Sequence, residues 1–110
     1  KEVEAPQLAT KIKDNDELVI IDVREMHEIA RGTIQGAIPM PMATVPLHLN
    51  DIPQDKEVVF ICRSGARSGQ VCMFLGQHGY DNAINLRGGM IGWVRSGYEA
   101  VLPEQVSSTY

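Results

Sequence analysis

"EVVFICRSGARS", residues Glu57 to Ser68, joins three patterns in one short stretch. The unbroken apolar run Val58 to Ile61, rich in β-branched side chains, reads as a strand buried on both faces. A polar loop follows, holding Cys62, Arg63, Ser64, Gly65, Ala66 and Arg67. From Ser68 to His78 the pattern is helical: Val71, Phe74, Leu75 and His78 fall on one face, and Gly79 ends the helix. Strand, tight loop and helix in succession are the building unit of a parallel α/β sheet.

The same alternation extends in both directions. Pro6 to Lys13 reads as a short helix, since proline suits a first helical position and Leu8 and Ile12 share a face. Leu18 to Ile21 is a second buried strand, ending in Asp22-Val23-Arg24. Glu25 to Ala30 forms a helical turn that closes at Gly32. Pro39, Pro41, Pro46 and Pro53 make the stretch from Gly36 to Pro53 a loop, with at most a short helix near Thr44 to Leu49. Ala83 to Leu86 is a third strand, broken by Gly88-Gly89. Met90 to Ser96 is a last helix with Met90, Trp93 and Val94 on one face, and Gly97 ends it. Residues 1–103 therefore read as one domain, and Glu104 to Tyr110 as a flexible tail. In open parallel sheets ligands bind beyond the carboxyl ends of the strands. Asp22-Val23-Arg24, Cys62 to Ser68 and Arg87-Gly88-Gly89 all fall there.

With 110 residues the chain has room for one core and not for two. A net charge of -4 argues against nucleic acid or an anionic membrane surface as the main partner. No apolar run reaches the length of a membrane span, and no signal-peptide pattern is visible. The chain begins at Lys1, which leaves a removed leader or a larger parent protein open. Cys62 and Cys72 are spaced neither as a redox pair nor as a zinc knuckle, and a helix between them holds the sulfurs apart. Two unpaired thiols fit a reducing compartment, the cytoplasm. His27, His48 and His78 form no pair with ligand spacing, so no metal site is expected.

The loop after Val58 to Ile61 has a definite chemistry. Gly65 permits a positive φ in the reversal, and such loops turn successive N–H groups inward as an anion nest. The start of the following helix adds unpaired N–H groups, and Arg63 and Arg67 add full charges. Each effect favours thiolate over thiol, so Cys62 is expected to ionise more readily than a free cysteine. The plainer alternative is a buried structural cysteine, the commoner state of a lone Cys. The convergence of strand end, nest, helix start and two arginines on one sulfur favours the reactive reading. Cys72, inside the helix without charged neighbours, is assigned to the core. A preformed thiolate needs no histidine base.

These residues together resemble the rhodanese family. The carrying motifs are "IDVRE" at Ile21 to Glu25, "GTIQGAIPM" at Gly32 to Met40, "CRSGARS" at Cys62 to Ser68 and "LRGGMIGW" at Leu86 to Trp93. They stand in family order across about Val3 to Tyr98, with Thr33 where many members carry histidine. The resemblance implies a mostly parallel five-stranded sheet with helices on both faces. It also implies sulfurtransferase activity without a cofactor. Cys62 matches the sulfur-accepting cysteine, and Arg63, Ser64, Gly65, Ala66 and Arg67 match the loop that cradles the persulfide. Ser68 supports that loop. Asp22 and Arg24 match a motif read as architectural, Asp22 accepting backbone hydrogen bonds and Arg24 pairing with a carboxylate. Gly88 and Gly89 let a turn pass close to the site, and Trp93 belongs to the core. The implied partners are a small anionic sulfur donor, thiosulfate or a persulfide, and a thiol acceptor, including a sulfur-carrier protein.

Two other classes stay open at this level. A cysteine phosphatase uses a similar loop, but with one residue more between cysteine and arginine than the four found between Cys62 and Arg67. A protein-to-protein relay or a regulatory binding module would share the fold, and fold alone does not separate these.

Overall fold

Five parallel strands build one sheet in the order β1-β5-β4-β2-β3 in the computed structural model, which describes residues 1–103. They are β1 (Glu2–Val3), β2 (Val19–Asp22), β3 (Ile38–Pro39), β4 (Val58–Ile61) and β5 (Ala83–Leu86). Between them lie α1 (Ala5–Asp14), α2 (Met26–Ile29), a 3-10 segment (Met42–Asp51), α3 (Ala66–Gln77) and α4 (Gly89–Arg95). The expected tail at 104–110 lies outside the described residues. No described helix is long and apolar enough to cross a membrane.

β4 is the centre of the sheet, and all of its residues are buried. Its side chains alternate between the two faces. Val58, Phe60 and Cys62 enter one cluster with Val71 and Leu75 of α3 and Val45 of the 3-10 segment. Val59 and Ile61 enter another with Leu8 of α1 and Met90 and Trp93 of α4. Apolar surface removed from water on both faces is the main stabilising term for such a layered domain, about 25 cal/mol per Å².

The elements differ from the sequence expectations in ways that have local causes. α3 starts at Ala66, two residues before the expected Ser68, because Gly65 at φ +100° completes the chain reversal by itself. Ala66 and Arg67 therefore lie in the first helical turn, not in the loop. The 3-10 segment outruns the expected Thr44 to Leu49; it accommodates Pro46 and is kinked at His48. The strands β1 and β3, two residues each, are too short to show a period. Val94 turns outward with 53% exposure, because α4 packs through Gly89, Met90 and Trp93. His78 is exposed at the end of α3, where its Nδ1 meets the carbonyl of Phe74 at 2.9 Å.

Strand order also locates a crevice. After β2 the chain adds β3 on one side, then returns to place β4 on the other side of β2 and proceeds to β5. The order reverses between β2 and β4. This is the topological switch point at which open α/β sheets bind ligands, and Asp22 and Cys62 stand at the carboxyl ends of these two strands.

Candidate active site

Cys62 follows the last residue of β4 and is 1% exposed. The backbone amide of Gly65 donates to its Sγ at 3.1 Å. The loop adopts this inward-amide form because its carbonyls are anchored elsewhere. The amide of Met90 donates to the Cys62 carbonyl at 2.9 Å, and that of Ile91 to the Arg63 carbonyl at 3.1 Å. With these two oxygens held by the start of α4, the N–H groups are left facing the sulfur as a nest. Gly89 makes the approach possible: a Cβ on it would lie 2.5 Å from the Arg63 carbonyl oxygen.

Burial opposes ionisation of Cys62. The Ser68 hydroxyl, when it donates to Sγ, and the amides of Ser68, Gly65 and Ser64 outweigh it and hold the thiol below its ordinary range. Cys72, half-buried in α3, has no such donors, and burial pushes its thiol up to about 12. Both cysteines are free. The two sulfurs thus differ in environment in the direction that the loop's composition predicts.

Arg63 and Ser64 are exposed at the mouth of the nest. Arg67 donates to both carboxylate oxygens of Glu28, at 2.7 and 2.9 Å. Sequence reasoning missed Glu28, because the pairing joins α2 to α3 across a long stretch of chain. A bidentate arginine–carboxylate pair fixes geometry as well as charge. The Arg67 hydrogen bonds hold the Glu28 carboxyl down to about 2, against burial, which raises it.

This shift has a sign. A depressed carboxyl pKa contributes stability above the ordinary value of 4.5, and that contribution is lost as pH falls toward about 2. Glu28→Gln is therefore expected to lower the melting temperature near neutral pH. The difference from the parent protein should shrink through the interval from 4.5 to about 2. Thermal unfolding of both proteins over that range checks it; a constant difference would rule out the ionised pair as its source.

Asp22 and Arg24 form a buried pair behind the site. Arg24 Nη2 donates to Asp22 Oδ2 at 2.8 Å and to the Gly32 carbonyl at 2.7 Å, and the Arg24 amide donates to Asp22 Oδ1 at 3.1 Å. Thr33 donates to Asp22 Oδ2 at 2.7 Å, so the threonine at this position anchors the same pair. The cluster ties the turn after α2 to the end of β2. It thereby sets the base from which Glu28 reaches Arg67.

Ser68 and Asn85 complete the enclosure. Ser68 Oγ lies 3.3 Å from Cys62 Sγ and 2.5 Å from Asn85 Oδ1. The sequence pattern places Asn85 only within a strand. A polar residue within the buried run Ala83 to Leu86 was the available signal, since a buried amide needs partners. Trp93 is buried and stacks on Tyr98, with ring centroids 4.7 Å apart.

The fold and site define an α/β domain with a buried cysteine in an amide nest at the switch point of a parallel sheet. The rhodanese-like domain model matches residues 4–96, and the chain belongs to that family. It is 43% identical over 103 residues to a sulfurtransferase of Allochromatium vinosum, covering 94% of this chain and 96% of that protein. It is 29% identical over 91 residues to the thiosulfate sulfurtransferase GlpE of Glaesserella parasuis, covering 83% and 84%. A rhodanese-related protein of Thermoplasma volcanium superposes with a TM-score of 0.85 at 31% identity, covering 94% of this chain and 99% of that one.

Proposed function

We propose that this protein is a sulfurtransferase that moves a sulfane sulfur from an anionic donor to a thiol acceptor through a persulfide on Cys62. The observation that carries the reading is the sulfur of Cys62 at the focus of the nest, receiving the Gly65 amide at 3.1 Å. In the first half-reaction the Cys62 thiolate attacks the outer sulfur of thiosulfate. The new S–S bond forms as the donor's S–S bond breaks, and sulfite leaves with the bonding electron pair. In the second, an acceptor thiolate attacks the outer sulfur of the persulfide. The bond to Cys62 breaks, the acceptor leaves as a persulfide, and the Cys62 thiolate is restored.

The loop amides of Ser64 and Gly65 and the helical amide of Ser68 are placed before reaction, so they stabilise the anionic sulfur without reorganising. Arg63, exposed beside the nest, meets the anionic donor. Arg67 acts at one remove: its pair with Glu28 braces the first turn of α3. That engagement, with the short Cys62 to Arg67 spacing, also favours sulfur over phosphoryl transfer. A phosphatase needs its arginine turned into a wider cradle. The acceptor is a thiol on a small molecule or on a sulfur-carrier protein. The need for a reduced nucleophile supports the cytoplasm as the compartment in this reading.

Intact-mass measurement tests the reading. Incubation with thiosulfate is expected to leave the protein one sulfur atom heavier, and an excess of a reducing thiol to return it to its original mass. No mass change with thiosulfate or with an organic persulfide would end the proposal.

A further inference from the structure

The Ser68 hydroxyl carries one hydrogen and stands between two acceptors, Cys62 Sγ at 3.3 Å and Asn85 Oδ1 at 2.5 Å. All three residues are buried. The amide of Asn85 is oriented from its far side. Its Nδ2 donates to the Gly65 carbonyl at 3.1 Å and to Glu2 Oε2 at 3.2 Å. Turned over, it would set its own oxygen against a carbonyl and a carboxylate. Asn85 therefore always presents an acceptor to Ser68.

We propose that Asn85 is a positioning residue that draws the Ser68 hydrogen away from Cys62, and so favours the sulfur-loaded cysteine over the empty thiolate. This rests on the reading of Cys62 as the sulfur carrier. While Cys62 is a thiol, its S–H donates to Ser68 Oγ and the Ser68 O–H donates to Asn85 Oδ1, so each hydrogen has one acceptor. When the thiol proton leaves to solvent, thiolate and Oδ1 compete for the single Ser68 hydrogen, and one of the two goes without. When a second sulfur is bound, the negative charge resides on the outer atom and Sγ is neutral. The Ser68 hydrogen then returns to Asn85. The empty thiolate is thus the one state of the cycle with a contested hydrogen. A thiolate held less tightly is also the stronger nucleophile.

Charged groups lie around Cys62 on several elements: Arg87, whose backbone passes Gly65, pairs with Glu4 at 3.7 Å, and Arg31 and Arg95 line the hollow that Arg63 shares. Arg63 lies in the loop. Arg67 of α3 is paired with Glu28 of α2, and Glu25 adds to the field on that arginine. Glu2 of β1 stands behind Asn85, and the Asp22–Arg24 pair closes the end of β2. α4 meets the loop through the amides of Met90 and Ile91. Of these groups only Glu2 bonds to Asn85, and the loss of that bond is common to both Asn85 variants, so a double-mutant cycle on Ser68 and Asn85 isolates the hydrogen.

The experiment is the pH profile of Cys62 alkylation by iodoacetamide, read by peptide mapping, in the parent protein, Ser68→Ala, Asn85→Ala and the double variant. Ser68→Ala is expected to slow alkylation at pH 6 by less than about threefold in the parent. In the Asn85→Ala background it should slow it by about tenfold, the scale of one hydrogen bond to a charged group. Any loop shift from losing the Asn85–Gly65 bond is common to both members of the second pair and cancels. Equal slowing in both backgrounds, or greater slowing in the parent, overturns the proposal. If Asn85→Ala does not fold, Asn85→Leu removes the acceptor while keeping the volume. Alkylation requires no sulfur transfer. A missing coupling with intact thiosulfate loading removes the role of Asn85 alone. An intact coupling without loading removes the sulfur-transfer reading, and with it the advantage assigned to the loaded state.

Discussion

Cys62→Ser is expected to reduce sulfur loading from thiosulfate to background, while Cys72→Ser leaves it unchanged. Serine preserves the size of the buried group and can receive the same amides. Its hydroxyl does not ionise near neutral pH, and it cannot form the S–S bond that stores the transferred atom. Cys72 provides the internal control. Both thiols are free, but burial holds Cys72 up to about 12 while the nest holds Cys62 down. The Cys62→Ser protein should remain folded, because the contacts of β4 do not depend on the sulfur. Intact mass after exposure to thiosulfate, with circular dichroism to verify the fold, gives the answer. An adduct that persists on Cys62→Ser would move the nucleophile elsewhere and take the proposed mechanism with it.

The second large effect is expected at a residue with no side chain. Gly89 has φ +58°, and a Cβ there would stand 2.5 Å from the Arg63 carbonyl oxygen and 2.6 Å from that of Cys62. Both oxygens belong to backbone, so neither can swing aside as a flexible side chain would. Gly89→Ala must push the loop and α4 apart and hold alanine in a left-handed conformation. Together these cost about 3 kcal/mol, or about 10 °C or more in melting temperature. The separation also breaks the Met90 and Ile91 hydrogen bonds that turn the loop carbonyls away from the sulfur. Sulfur transfer should fall about a hundredfold, on the scale of losing preorganised donors. Steady-state thiosulfate kinetics well below the variant's melting temperature separate this from unfolding. Near-parent turnover would mean that the α4 contacts do not shape the nest. Gly36→Ala, where nothing lies within 4 Å, tests by comparison what a positive-φ glycine costs without a close approach.

Local sequence made the centre of this structure readable and left its cross-links hidden. β2, β4 and, but for Asn85, β5 announce themselves as short apolar runs because a strand buried on both faces needs no alternation. The Cys62 loop was legible because its chemistry is carried by adjacent residues: a strand end, a glycine and a helix start. Gly88 and Gly89 were legible for a similar reason, since paired glycines after a strand signal a close backbone approach. The partnership of Arg67 with Glu28 was not, as either residue alone reads as a solvated charge. β1 and β3 escaped because two residues cannot display a period. The start of α3 was misplaced because a single glycine sufficed for a turn to which the sequence reading gave more residues.

The anchoring of the Cys62 and Arg63 carbonyls by Met90 and Ile91 bears on how the protein comes into being. A ribosome releases the cysteine, both arginines and α3 well before it releases α4. Chains generally acquire structure from the amino end as they emerge. Until the last helix docks, nothing pins the loop oxygens outward and the amides have no reason to converge. The nest around the nascent cysteine is therefore complete only once α4 has docked.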